Sequence, residues 1–309
     1  MTFGNTTDRT TLGILFMVAF AAIAPIMDAF AKATPTEVPV PQILAARFGI
    51  QMLILLPLAA ALGHGSLPSR KDAILHLARG FALLAATGSF FTAVRYMPIA
   101  NAIAIFFVEP FILTLLGWVF LKEAVGWRRL SACAVGFGGA LLVIRPSFSD
   151  LGWVTLLPLA TAFLFAGYML LTRSMSQRVH PLTLQAHTAL AAAVLIIPPL
   201  LVMEGSGSAL WDPVWPRGLA VWTLLGVGLV ATVSHLFITY ALRFAPAGTV
   251  APLQYLEIVG ATAIGYLAFG DFPEPLTWIG IAIIVASGIY VFARERALGQ
   301  KTDRPPPPP

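Results

Sequence analysis

Residues 93–123 read AVRYMPIANAIAIFFVEPFILTLLGWVFLKE. A shift of 148 positions lays them without a gap on residues 241–271, ALRFAPAGTVAPLQYLEIVGATAIGYLAFGD. Six of the 31 positions are identical: Ala93/Ala241, Arg95/Arg243, Pro98/Pro246, Glu109/Glu257, Thr114/Thr262 and Gly117/Gly265. Others are close in kind, among them Phe107/Tyr255 and Glu123/Asp271. Shared apolar bias readily matches Ala with Leu. It does not align a glutamate inside an apolar run, a proline ahead of it and an acidic residue at its end in one frame. The two stretches are copies of one repeated unit.

The composition says where such a unit resides. Of 309 residues, 58% are hydrophobic and 11% charged, against about 45–50% and about 25% in soluble domains. So much apolar surface cannot be covered in water, and the chain reads as a polytopic membrane protein. The single cysteine, Cys133, excludes an intrachain disulfide and any cysteine cage for a metal. The first apolar stretch, Leu12 to Ala31, is long, holds Asp28 and lacks a cleavage site, so it reads as a retained helix.

Apolar stretches of about 20 residues cross a bilayer as helices. Ten are expected, roughly at 11–31, 42–62, 73–94, 97–120, 128–145, 152–172, 182–203, 219–242, 247–269 and 276–293. With the N-terminus in the cytoplasm, inside segments carry 13 of the 19 Lys and Arg and outside connections carry 4. Such a bias marks the cytoplasmic side and leaves both termini there. Residues 294–309, ending in RPPPPP, read as a disordered, proline-rich cytoplasmic tail. Each half, 11–145 and 152–293, holds five spans. Two copies of an odd-numbered unit lie in opposite orientations, which makes an all-α integral membrane fold of two inverted five-helix repeats. Residues shared by the halves should meet near the midplane.

Glu109 and Glu257 are the first candidates for a site there. A charge at a helix centre costs about 2.5–3.5 kcal/mol on insertion scales and usually faces a cavity with a partner. Each could bind cargo or carry a coupling proton; alternatively each hydrogen-bonds a neighbouring helix and locks the packing. In an unbroken helix Phe107 and Tyr255, two residues before each Glu, point about 160° away from it, and Phe106 lies nearer the Glu face. Phe90, Phe91, Tyr168, Tyr240 and Gln254 complete a candidate lining for a planar heteroaromatic cargo, which wants stacked rings and a few polar groups. Pro110 removes the amide that would bond carbonyl 106 and is expected to kink span 4. Pro252 stands six residues earlier in the repeat frame, so the kinks are not symmetry mates. Pro98 and Pro246 suit the first turns of spans 4 and 9. Asp28 and Lys32, four apart, can pair along one helix face, and Arg47 and Arg79 are each within snorkelling reach of an interface.

The five histidines show no metal-ligand spacing, and there is no phosphate-binding glycine loop, serine elbow or zinc-protease helix. No cofactor is expected, and a gradient rather than ATP would drive transport. A cluster of reactive groups such as a membrane enzyme needs is not seen. A passive channel remains open as a reading and differs from a carrier in not accumulating solute.

LARGFALL at the start of span 3, RYMPIANAIAIFFVEP into span 4 and FLKEAVGWRRLSACAVGFGGALLVI across spans 4–5 resemble the drug/metabolite transporter superfamily of EamA type over about residues 10–295. MDAFAK and APLQYLEIVGATAIGYLAFGDFP are similar to a branch with riboflavin and S-adenosylmethionine permeases. The resemblance implies a ten-helix inverted-repeat secondary carrier in a bacterial inner membrane, binding a small organic solute. Uptake of riboflavin ranks first. S-adenosylmethionine uptake, or export of amino acids or drugs, is the alternative. It also implies a gate or cargo role for Asp28, an anchoring role for Arg79, and a peripheral face on spans 5 and 10 where a homodimer can form. No nucleic-acid partner is implied.

Overall fold

A computed structural model of the chain describes residues 6–65, 67–112, 115–116, 127–176, 178–245 and 251–302. Among them there are helices and turns and no strand. The helices are α1 (Thr6–Ala33), α2 (Val40–Ala61), α3 (Arg70–Val94), α4 (Ile99–Phe106), α5 (Trp127–Leu151), α6 (Leu157–Ser176), α7 (Pro181–Val202), α8 (Leu219–Phe244), α9 (Glu257–Phe269) and α10 (Pro275–Thr302). Two 3-10 turns, Gly152–Leu156 and Ala251–Leu256, lead into α6 and α9. Local chemistry sets several starts. The Ser69 hydroxyl accepts from the Asp72 amide at 3.2 Å ahead of α3. Prolines open α2 and α7, where no amide donor is needed.

Among the described residues six helices are long and apolar enough to cross a membrane: Thr11–Ala33, Val40–Ala61, Arg70–Val94, Phe148–Ser176, Pro181–Val202 and Leu219–Phe244. Ile99–Ile112, Ala134–Ile144, Leu253–Phe269 and Pro275–Tyr290 are shorter apolar helices. The distribution of side chains is the reverse of a water-soluble fold. Leu53, Phe81, Phe163 and Leu267 are exposed, while Arg47 and Arg79 are fully enclosed. Apolar surface of this extent facing outward suits a surrounding of lipid, and the protein is a multi-pass, all-helical membrane protein.

Helix α1 packs on α8 and α9, α3 on α6 and α7, α2 on α7 and α8, α4 on α9 and α6, and α5 on α10. The small residues of the last pair are used within the chain: a Cβ on Gly280 would lie 2.7 Å from the Gly139 carbonyl oxygen. Helix α5 runs past the connection expected near residues 145–152. It stops only at Gly152, whose φ of +59° breaks the helix. Helix α10 continues to Thr302, into the segment expected as a tail, and residues 303–309 lie outside the described ones.

Among the described residues of spans 4 and 9 the helical geometry changes partway along. Helix α4 ends at Phe106, residues 107–108 form a turn, and the chain is helical again from 109 to 112. Helix α9 begins at Glu257, directly after the 3-10 segment. Each glutamate therefore opens a new helical segment. Pro110 does not kink a helix interior as expected. It is the second residue of the resumed segment, where its missing amide costs nothing. Pro98 directly precedes α4; Pro246 lies outside the described residues.

Candidate functional site

A partly open cavity lies between α1, α2, α3, α4, α6, α8 and the start of α9. Its volume, counted with the solvent at its mouth, is about 610 Å³. Asp28 of α1, Phe90 and Phe91 of α3, Phe106 of α4, Gln254 of the 3-10 turn and Glu257 of α9 line it. These six were expected from sequence. Arg47 of α2, Thr87 of α3, Thr161 and Phe165 of α6 and His235 of α8 line it too and were not. One side is aromatic: the Phe106 ring meets Phe90 edge-on at 6.2 Å and Phe165 at 5.5 Å.

The other expected residues stand outside the lining. Glu109 is buried with no hydrogen-bond partner on Oε1. Phe107 and Tyr255 touch edge to face, their centroids 5.0 Å apart. Tyr168 donates to Gln185 Oε1 at 3.3 Å and turns its ring face to the Arg79 guanidinium, 4.9 Å away. Tyr240 stacks on Phe16 and Phe244 and meets the edge of His180, toward the end of the bundle opposite Lys32.

Three sequence readings change. Arg47 does not snorkel. It is fully buried, stacked over the Phe48 ring at 4.3 Å, with Nη2 2.6 Å from His235 Nε2. A guanidinium only donates, so His235 Nε2 accepts. Arg79 is likewise enclosed. Its Nη1 donates to Thr188 Oγ1 at 2.6 Å and to the Leu184 carbonyl at 3.1 Å, and its Nε donates to Thr172 Oγ1 at 3.2 Å. It ties α3 to α6 and α7 rather than reaching an interface. Lys32 does not pair with Asp28. It forms an ion pair with Asp271 and donates to the Met97 carbonyl at 3.1 Å. Gly270, left-handed at φ +71°, ends α9 and turns Asp271 toward it. Asp28 is left in the cavity wall with Oδ1 unpaired.

A signal for Arg47 was present in α2: Arg47 and Gln51 stand one turn apart in an apolar helix, and both are fully buried. Hydropathy alone does not say whether such an arginine faces lipid or protein. His235 drew no notice because it lacks a metal-ligand neighbour in sequence, while its partner is 188 residues away.

A multi-pass helical protein with ionisable groups around an aromatic central cavity has the form of a membrane transport protein. The chain belongs to the EamA-like transporter family, whose model matches residues 11–145 and again 152–293; it is a transporter of the drug/metabolite superfamily and not an enzyme. A riboflavin transporter of Rhizobium johnstonii is 28% identical over 93% of this chain and 93% of its own length. A riboflavin transporter of Vibrio cholerae is 29% identical over 90% and 92%. A pseudopaline exporter of Pseudomonas aeruginosa is 28% identical over 91% and 96%. A solved crystal structure at 18% identity superposes with a TM-score of 0.64 over 94% of this chain and 99% of that one, sharing the fold.

Proposed function

We propose that the chain is a secondary carrier of a small organic metabolite, working by alternating access in a bacterial inner membrane with both termini cytoplasmic. Ten spans form two inverted repeats, 11–145 and 152–293, and the cargo site lies between them. The observation that carries this reading is the pair of broken helices. Chain segments restart at Glu109 and Glu257, and discontinuous helices of this kind mark the substrate sites of inverted-repeat carriers. Helix packing supports the repeat. Exchanging α1–α5 for α6–α10 turns the α1/α8 contact into α6/α3 and α2/α8 into α7/α3, while α2/α7, α4/α9 and α5/α10 map onto themselves. All of these contacts occur.

Riboflavin uptake is the leading cargo assignment. Two relatives are riboflavin transporters, and a lining of Phe90, Phe106 and Phe165 with Gln254 and Glu257 suits a planar heteroaromatic. A Rickettsia felis relative, 24% identical, is an S-adenosylmethionine uptake transporter, which keeps that cargo second. Export is the contrasting direction, favoured by the pseudopaline exporter at matching identity. A homodimer would use the outward faces of α5 and α10, where Phe137 and Ile279 are exposed. Expression in a riboflavin auxotroph at limiting external vitamin tests the assignment. Growth rescue is expected; no rescue, with export of another metabolite retained, would overturn it.

A further inference from the structure

Arg47 is a buried cation of the cavity wall with most of its donors unpaired. It is fully buried, and Nη2 alone has a partner, the neutral acceptor His235 Nε2. Nε and Nη1 have none. Among the described residues no carboxylate forms a salt bridge with it, though Asp28 lies near enough in the same cavity wall to attract it. A guanidinium carries five N–H donors in a planar fork. Leaving most of them unpaired away from water is costly. Its ring contact with Phe48 and its bond to His235 hold the head group fixed, so the free donors are oriented before any ligand arrives.

We propose that Arg47 binds the cargo directly, taking a planar hydrogen-bond-accepting group: a carboxylate or the carbonyl–nitrogen edge of a dione-bearing heteroaromatic. His235 positions the guanidinium, and the rings of Phe90, Phe106 and Phe165 receive the apolar part of the same molecule. This rests on the central cavity being the cargo site, but it holds whichever of the two acceptor groups the cargo carries. It makes Arg47 a specificity determinant: solutes of the same ring size without a two-atom acceptor edge lose their anchor.

The test is equilibrium binding by tryptophan fluorescence to full-length protein in lipid nanodiscs. The probes are riboflavin, which has the dione, orotate, which has dione and carboxylate, and acridine, a tricycle whose single ring nitrogen offers no two-atom edge to the guanidinium fork. Wild type is compared with R47Q and R47K, each checked for monodispersity. R47Q should weaken riboflavin or orotate on the order of tenfold or more, the loss of hydrogen bonds to a charged donor. Acridine should shift less than twofold. R47K, with charge but no fork, should fall between. Equal losses for all probes in R47Q, or none, would overturn the proposal. Should R47Q fail to fold, R47K alone decides, since it too must weaken riboflavin or orotate more than acridine. Wild type that binds orotate but not riboflavin defeats the riboflavin assignment and leaves Arg47 to be judged on orotate. Wild type that binds neither defeats both.

Discussion

The rings of Phe107 and Tyr255 meet edge to face, 5.0 Å between centroids and 86° between planes. They are separated by the same 148 positions that align the two copies of the repeat. Residues related by a two-fold axis touch one another only where they approach that axis. On the inverted-repeat reading, this contact lies near the axis that relates the halves. The glutamates two residues on, Glu109 and Glu257, open the helical segments on either side.

The Tyr255 ring packs so closely on Gly288 of α10 that a Cβ there would fall inside it. Gly288→Ala is expected to displace Tyr255 from Phe107 and to slow uptake several-fold while the protein still inserts and purifies. Initial uptake rates in proteoliposomes measure this. Wild-type rates in G288A would mean that the ring contact has no part in transport.

Glu109→Gln and Glu257→Gln separate a working carboxyl from a packing one, since the amide keeps shape and hydrogen bonding but cannot ionise. Transport is expected to fall at least tenfold in E257Q, whose side chain lines the cavity, and to lose its pH dependence in at least one of the two. Near-normal rates with an unchanged pH profile in both would remove proton coupling from the account.

The ion pair between Lys32 and Asp271 joins the end of α1 to the α9–α10 connection and is partly exposed. Such pairs add roughly 0–1 kcal/mol, so Lys32→Met should barely alter thermal stability. It should instead loosen that end of the cavity. With Cys133 replaced by Ser and a cysteine placed at position 254, labelling by a membrane-impermeant maleimide from the outside should quicken in K32M. Charge reversal at both positions should slow it again.

Arg79 bridges three helices with bonds to Thr172, Leu184 and Thr188. Arg79→Leu removes all of them, a loss of about 2 kcal/mol or more, although Thr172 and Thr188 keep their own bonds to the Tyr168 and Leu184 carbonyls. A lowered melting temperature in detergent, with cargo affinity of the surviving protein close to wild type, is the expected pattern.

His180 caps α7 by accepting from the Leu182 amide through Nδ1 and stacks on His64, 3.8 Å between centroids. Burial first, then the neighbouring His64 and Arg243, push its pKa below the usual histidine value. The folded protein therefore binds this proton less readily than the unfolded chain, whose histidines titrate near 6.5. The stabilisation is present above about pH 6.5 and declines as pH drops through that value. Melting curves from pH 8 to 5 should show the decline, and His180→Asn, which caps without titrating, should make it shallower.

The apolar spans and the paired glutamates were legible because hydropathy and self-similarity are properties of the chain itself. The breaks ahead of Glu109 and Glu257 were not. Residues 107 and 108 are Phe and Val, which carry no turn signal, and Pro110 pointed to a kink where the chain restarts instead. Arg47 was misread for a related reason: an arginine two turns into a span is equally able to reach water or to be enclosed, and the choice lies with His235 on a distant helix. Lys32 likewise found Asp271, 239 positions away, in preference to its neighbour Asp28. Long-range partners decide these side chains, and spacing along one helix does not disclose them.

The central claim is that this chain carries a solute against a gradient through a site between its halves. Uptake of labelled riboflavin into proteoliposomes, with and without an imposed proton gradient, tests it most directly. The account predicts saturable uptake that rises above the external concentration when the gradient is present and falls at least tenfold in E257Q. Uptake that stops at equal concentrations under every gradient, or that E257Q leaves intact, would contradict it.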